Sequence, residues 1–93
     1  MWLAYLKNKM PFDQIKEEWK ETHLSRLVKL REEGVVLAHG RVADGSGGYF
    51  LFNTTHEEME KYLAEDPYVQ NGVSELVEAK DWVVNFSSRI NET

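Results

Sequence analysis

Apolar positions change their spacing several times along the chain, and each change marks an element. Trp2-Leu3-Ala4-Tyr5-Leu6 is a short apolar run that stops at Lys7-Asn8-Lys9-Met10-Pro11, where lysines and a proline make room for a turn; it predicts a first strand. From Asp13 to Glu33 the chain is rich in Glu, Lys, Leu and Arg and contains neither Pro nor Gly. Gly34 then supplies the residue type favoured just past a helix end, so the pattern predicts a long helix of about 30 Å. Val35–Arg41 and Tyr49–Asn53 are β-branched or aromatic runs joined across Asp44-Gly45-Ser46-Gly47-Gly48, which reads as a hairpin. Thr55-His56-Glu57-Glu58 has the spacing of a capping box, and Met59, Tyr62 and Leu63 continue at helical intervals to about Glu65, ahead of Pro67. A last strand follows over Val73–Ala79, with Trp82-Val83-Val84 as its furthest extension.

The order β-α-β-β-α-β predicts an α+β, ferredoxin-like fold in which one antiparallel sheet carries two helices on one face. The other face is left open and must be covered; two protomers stacked sheet to sheet, as a homodimer or part of a larger homo-oligomer, would cover it. No repeat or linker divides the chain, so residues 1–93 read as one domain, with 86–93 as a frayed tail.

Length supports that picture. At 93 residues the chain buries only about 60–65% of its unfolded surface, which makes a second subunit useful. Eleven basic against 16 acidic residues give a net charge of -5, unsuited to tracking a phosphate backbone, so nucleic acid is not an expected partner. Cysteine is absent, which excludes a disulfide framework, a thiolate nucleophile and a Cys-based zinc site and fits a cytoplasmic protein. The apolar N-terminal run is shorter than a signal-peptide core, and no run approaches the 18 or so residues of a membrane span.

One residue breaks the helical pattern. Phe12, Ile15, Trp19, His23, Leu27 and Leu30 fall within an arc of roughly 120°, with Glu18, Glu21, Ser25 and Lys29 opposite, and His23 lies near the middle of the apolar arc. It is either a half-buried histidine packed like an aromatic with its nitrogens satisfied, or a member of a site. Asp66, in Asp66-Pro67-Tyr68, is either the cap of the turn after the second helix or the partner of His23, since both helices share one face of the sheet.

Other candidates are weaker. The glycine-rich Asp44–Gly48 segment lacks the lysine and the strand-to-helix context of a phosphate loop and reads as a turn. Arg41 is either a surface residue or the holder of an anionic group. His39 and His56 share no metal-ligand spacing with His23 or Glu57-Glu58, and no metal or cofactor is expected.

Three stretches, "HLSRLVKLREEGVVLAHGRV" with His23 and Gly34, "DGSGGYFLF", and "AEDPYVQNGV" with Asp66, Pro67, Tyr68 and Gly72, resemble the YCII-related (YciI-like) domain family in order and spacing, from the first strand to about Trp82. The resemblance implies a ferredoxin-like subunit pairing as a dimeric α+β barrel, kin at fold level to small isomerases, cyclases and monooxygenases. It also implies a His-Asp pair in a cleft, here His23 and Asp66, in a family some of whose members lie in pathways that degrade aromatic compounds.

Two functions are compatible with these residues. One is a small cofactor-free enzyme, of isomerase, lyase or dehydrochlorinase type, in which Asp66 orients His23 for proton transfer on a small cyclic or aromatic-derived carbonyl compound. Arg41, Tyr68, Trp19, Tyr5 and Phe50 would then contact the small-molecule substrate. The other is a non-catalytic dimeric module that binds a small molecule or serves in assembly, with His23 and Asp66 as a buried polar pair fixing helix packing.

Overall fold

Alternation along the first strand decides the two faces of the sheet. In a computed structural model that describes residues 1–86, β1 spans Trp2–Asn8, and its even positions Ala4 and Leu6 are buried in the core. Helix α1 covers Glu17–Glu32, β2 Val36–Arg41, β3 Gly47–Phe52, α2 His56–Ala64, the one-turn α3 Pro67–Gln70 and β4 Ser74–Asp81. The strands make one four-stranded sheet in the order β2-β3-β1-β4, with every neighbouring pair antiparallel. This is the ferredoxin-like α+β layout expected from the sequence, with α3 added before the last strand.

The core lies between sheet and helices. Ala4, Leu6, Val36 and Phe52 meet Leu30 of α1 and Met59 and Leu63 of α2. Odd positions of β1 face away: Leu3 lies opposite Leu51 and Tyr5 opposite Tyr49 on the sheet's other side. Of the expected tail, all but Phe86 lies outside the described residues.

Local chemistry sets the ends of the elements. Gly34, at φ +75°, closes α1: its amide donates to Arg31 (3.1 Å) and that of Val35 to Leu30 (2.9 Å), the Schellman pattern that satisfies carbonyls left over at a helix end. Thr55 caps α2, its hydroxyl oxygen accepting the Glu58 amide at 3.2 Å.

The structure departs from the pattern reading at three boundaries. Helix α1 starts at Glu17, not Asp13; Phe12–Gln14 form a 3-10 turn, and Ile15 and Lys16 are extended (ψ 124° and 139°). The extended step buries Ile15 to 9% exposure and leaves Phe12 72% exposed, so packing of a β-branched side chain outweighs the helical propensity of the segment. Strand β3 begins at Gly47, not Tyr49, because both glycines are strand residues that admit no side chain. A Cβ on Gly47 would collide with the Leu6 carbonyl and the Tyr5 ring, and one on Gly48 would lie 2.9 Å from the Gly40 carbonyl. Strand β4 ends at Asp81 and does not reach Val84, since the neighbouring β1 begins at Trp2 and the last link is the Trp82 amide to the Met1 carbonyl at 2.8 Å.

Two irregularities in the ladder help set which side chains face the helices. Strand β4 shifts register between the partners of Tyr5 and Leu6, and β2 between Val36 and Ala38. The second lets His39 pair with Phe50 and Arg41 with Gly48, which turns both side chains to the helix-bearing face. Among the described residues no helix is long and apolar enough to cross a membrane.

Candidate functional site

Midway along α1 the inward face presents His23, and the chain delivers Asp66 to it from the other end of the fold. Asp66 is the N-cap of α3, with extended backbone (φ -74°, ψ 131°) followed by Pro67, whose fixed φ suits a first helical position. Its Oδ1 accepts the amide of Tyr68 at 2.8 Å. The Nδ1–H of His23 donates to the same carboxylate, 2.9 Å from each oxygen. Both side chains are largely buried, at 19% and 10% exposure. The cap that closes the turn and the partner of the histidine are therefore one carboxylate, and the two sequence readings of Asp66 hold together.

That bond fixes the tautomer: with the proton on Nδ1, Nε2 keeps its lone pair. Tyr68 fixes the ring plane, stacking on the imidazole with centroids 3.7 Å apart and planes 5° from parallel. Burial, with the charges of Asp66 and then Glu17, holds the Tyr68 phenol above its ordinary pKa, so it stays neutral at physiological pH. Arg26 supports the pair from the next turn of α1. Its Nη2 donates to the Tyr62 carbonyl at 3.2 Å, and its Nη1 sits 4.0 Å from Asp66 Oδ2, buried and without a hydrogen-bond partner among the described residues.

The pair lies on the wall of a cavity of about 480 Å³ between α1 and the sheet. Of the residues expected from the sequence, His23, Asp66, Tyr68, Phe50 and Arg41 line it. Tyr5 and Trp19 do not. The Tyr5 ring packs on Tyr49 at 4.9 Å, on the opposite side of the sheet, because it occupies an odd position of β1. Trp19 stands one turn before His23, its ring 5.2 Å from the Lys16 ammonium.

Phe12 and His39 are among the lining residues that the sequence did not assign to the site. Phe12 reaches the cavity through the 3-10 turn, with the Lys20 ammonium 4.0 Å from its ring. His39 stands at the mouth, its ring 5.8 Å from that of Phe50. Burial against the wall, then the proximity of His23 and Arg31, lowers its pKa below the ordinary histidine value. Parity with Arg41, two residues on, was the available signal for it. Among the described residues no group of three or more His, Cys, Asp or Glu side chains is placed to hold a metal ion.

No curated protein matches the chain. Among solved structures, the fold is similar to that of 5-chloro-2-hydroxyhydroquinone dehydrochlorinase from Burkholderia phenoliruptrix AC1100, determined in complex with 2,5-dihydroxybenzoquinone. The TM-score is 0.69 at 16% identity, covering 89% of this chain and 94% of that one. At that identity the likeness is one of fold. The model of the YCII-related domain matches residues 1–83, a span that takes in every strand and helix from β1 to β4, and the chain belongs to that family.

Proposed function

We propose that the protein is a small acid/base enzyme acting, without a cofactor, on a small cyclic or aromatic-derived carbonyl compound, in a reaction of isomerase, lyase or dehydrochlorinase type. The observation that carries this reading is the His23–Asp66 pair, its tautomer and ring plane both set, on the wall of a cavity lined mainly by apolar side chains. Asp66 holds the Nδ1 proton, so Nε2 takes a proton from a carbon next to the carbonyl, and the C–H electron pair moves onto the carbonyl oxygen as an enolate. Return of the proton at another carbon gives an isomer; expulsion of chloride from a conjugated carbon gives a dehydrochlorinated product, with HCl lost in all. Arg41, which lines the same cavity from the sheet side, would offset charge on the enolate. Kinship of fold with a dehydrochlorinase solved with a hydroxylated quinone supports the substrate class.

Two protomers would pair through the open sheet face. There a second, smaller hollow is lined by Leu3, Ala38, Tyr49, Leu51 and Trp82 among others, and Tyr49 and Trp82 are 47% and 46% exposed. We place the protein in the cytoplasm, consistent with the absence of cysteine.

The test is turnover of chlorinated and unchlorinated hydroxyhydroquinones, read as chloride release or spectral change, by the parent and by His23→Ala. We expect the variant to stay folded and to lose at least about 100-fold in rate, the usual contribution of one general base. Full activity in His23→Ala overturns the mechanism. A second reading, a binding module in which the pair fixes helix packing, is favoured by the double use of Asp66 as cap and partner. It predicts that His23→Leu costs stability and leaves ligand binding intact.

A further inference from the structure

His39 is the titratable group on the cavity wall that the proton transfer by His23 does not use. It sits on β2, two residues before Arg41, and the register shift after Val36 turns it to the helix-bearing face opposite His23. Its ring lies over that of Phe50, with centroids 5.8 Å apart. Among the described residues neither of its ring nitrogens has a hydrogen-bond partner, in contrast to Nδ1 of His23. His39 is exposed at the cavity mouth, so its two ring nitrogens face solvent and are free to bond a ligand that enters there.

We propose that His39 is the electrophile of the site: its N–H donates a hydrogen bond to the substrate's carbonyl or enolate oxygen while His23, across the cavity, takes the proton from carbon. The inference rests on the acid/base reading of His23 and Asp66 and names a second group for it. The C–H proton passes to Nε2 of His23, the electron pair moves to the oxygen, and the His39 N–H bond stays intact throughout. Two imidazoles suit this division because their surroundings differ. Asp66 directs the proton of His23 to Nδ1 and leaves a lone pair for the base. Partial burial and the neighbouring His23 and Arg31 keep His39 neutral at physiological pH, so that it gives a hydrogen bond and does not hand over a proton. The substrate class is accordingly narrowed to planar compounds with an acidic C–H and an oxygen on opposite edges, of the hydroxyquinone or cyclic enone kind.

The probe is 2,5-dihydroxybenzoquinone, whose ring oxygens carry enolate charge. Its binding is measured by absorbance titration with the parent, His39→Phe, His39→Gln and His23→Ala, alongside 15N NMR of the imidazoles. We expect His39→Phe to weaken binding about 10- to 100-fold, as loss of a hydrogen bond to a charged oxygen does. His39→Gln, which keeps an N–H donor, should recover part of it, and the His39 N–H resonance should shift on addition of the quinone. Binding by His39→Phe equal to the parent, with His23→Ala impaired, overturns the role of His39 and leaves the His23–Asp66 reading standing. No binding by the parent overturns the role of His39 toward hydroxyquinones, while the His23–Asp66 reading is decided separately by turnover in His23→Ala.

Discussion

His23 and Tyr68 stack face to face at 3.7 Å although 45 residues separate them in the chain, because one carboxylate, that of Asp66, holds Nδ1 of the first and the amide of the second. The imidazole is thus constrained in plane by stacking and in rotation by its hydrogen bond. Tyr68→Phe keeps the stack and should retain near-parental turnover. Tyr68→Ala removes it and should lower the rate by about 10-fold or more through misalignment of Nε2, with broadened His23 side-chain NMR signals as the accompanying sign.

Asp66 serves two partners, and two substitutions separate them. Asp66→Ala removes both the α3 cap and the imidazole partner and should cost about 1–3 kcal/mol in chemical denaturation. Asp66→Asn keeps an oxygen that can cap Tyr68 and should cost less, while losing activity comparably. In 15N NMR the His23 tautomer should be Nδ1–H in the parent and should shift toward Nε2–H in Asp66→Ala; an unchanged tautomer would mean that the carboxylate does not direct it.

The lowered pKa of His39 makes a pH-dependent contribution of definite sign. Below about 6.5, where an unfolded histidine takes up a proton, the folded His39 still resists it, so the unfolded state binds more protons and stability falls as the pH drops. The loss ends once the pH is below the folded value. Denaturation midpoints between about pH 7.5 and 5 should therefore fall more steeply for the parent than for His39→Gln. Burial is the larger cause and His23 the next, so His23→Gln should raise the His39 pKa part of the way to its ordinary value.

If the open sheet face joins two protomers, a charge placed on it should separate them. Tyr49 packs against Tyr5 there and is 47% exposed, so Tyr49→Lys adds an unpaired charge to the face without disturbing the core. Light scattering should give twice the 10.9 kDa chain mass for the parent and the single mass for the variant. A parent that runs as a monomer rejects this pairing.

Much of the site is legible in the chain alone. His23 stands out as a polar residue within an apolar arc, the S/T-x-x-E spacing at Thr55 and the glycine after Glu33 mark helix ends, and the element order points to a sheet with both helices on one side. Each of these depends on interactions within a few residues of the chain. The errors have the same origin reversed. Spacing places Phe12 and Ile15 in the α1 stripe because it cannot see that burying Ile15 offsets the cost of an extended step. Residue type groups Tyr5 and Trp19 with the cavity because it does not tell which face of a strand, or which side of a helix, a side chain meets.

His39 shows the limit most clearly. Its parity with Arg41 is visible, but the face on which both fall depends on a register shift near Leu37, set by pairing with β3 and by no local preference of β2. The sequence by itself determined the four strands and two main helices, their order and the two ends of the polar pair, since periodicity, capping and turn chemistry act over a turn or a strand. Only the tertiary structure decided that Asp66 meets Nδ1 of His23, that Tyr68 stacks on that ring and that His39 faces the same cavity, because those relations require segments tens of residues apart to be brought to within hydrogen-bonding distance by the packing of helices on the sheet.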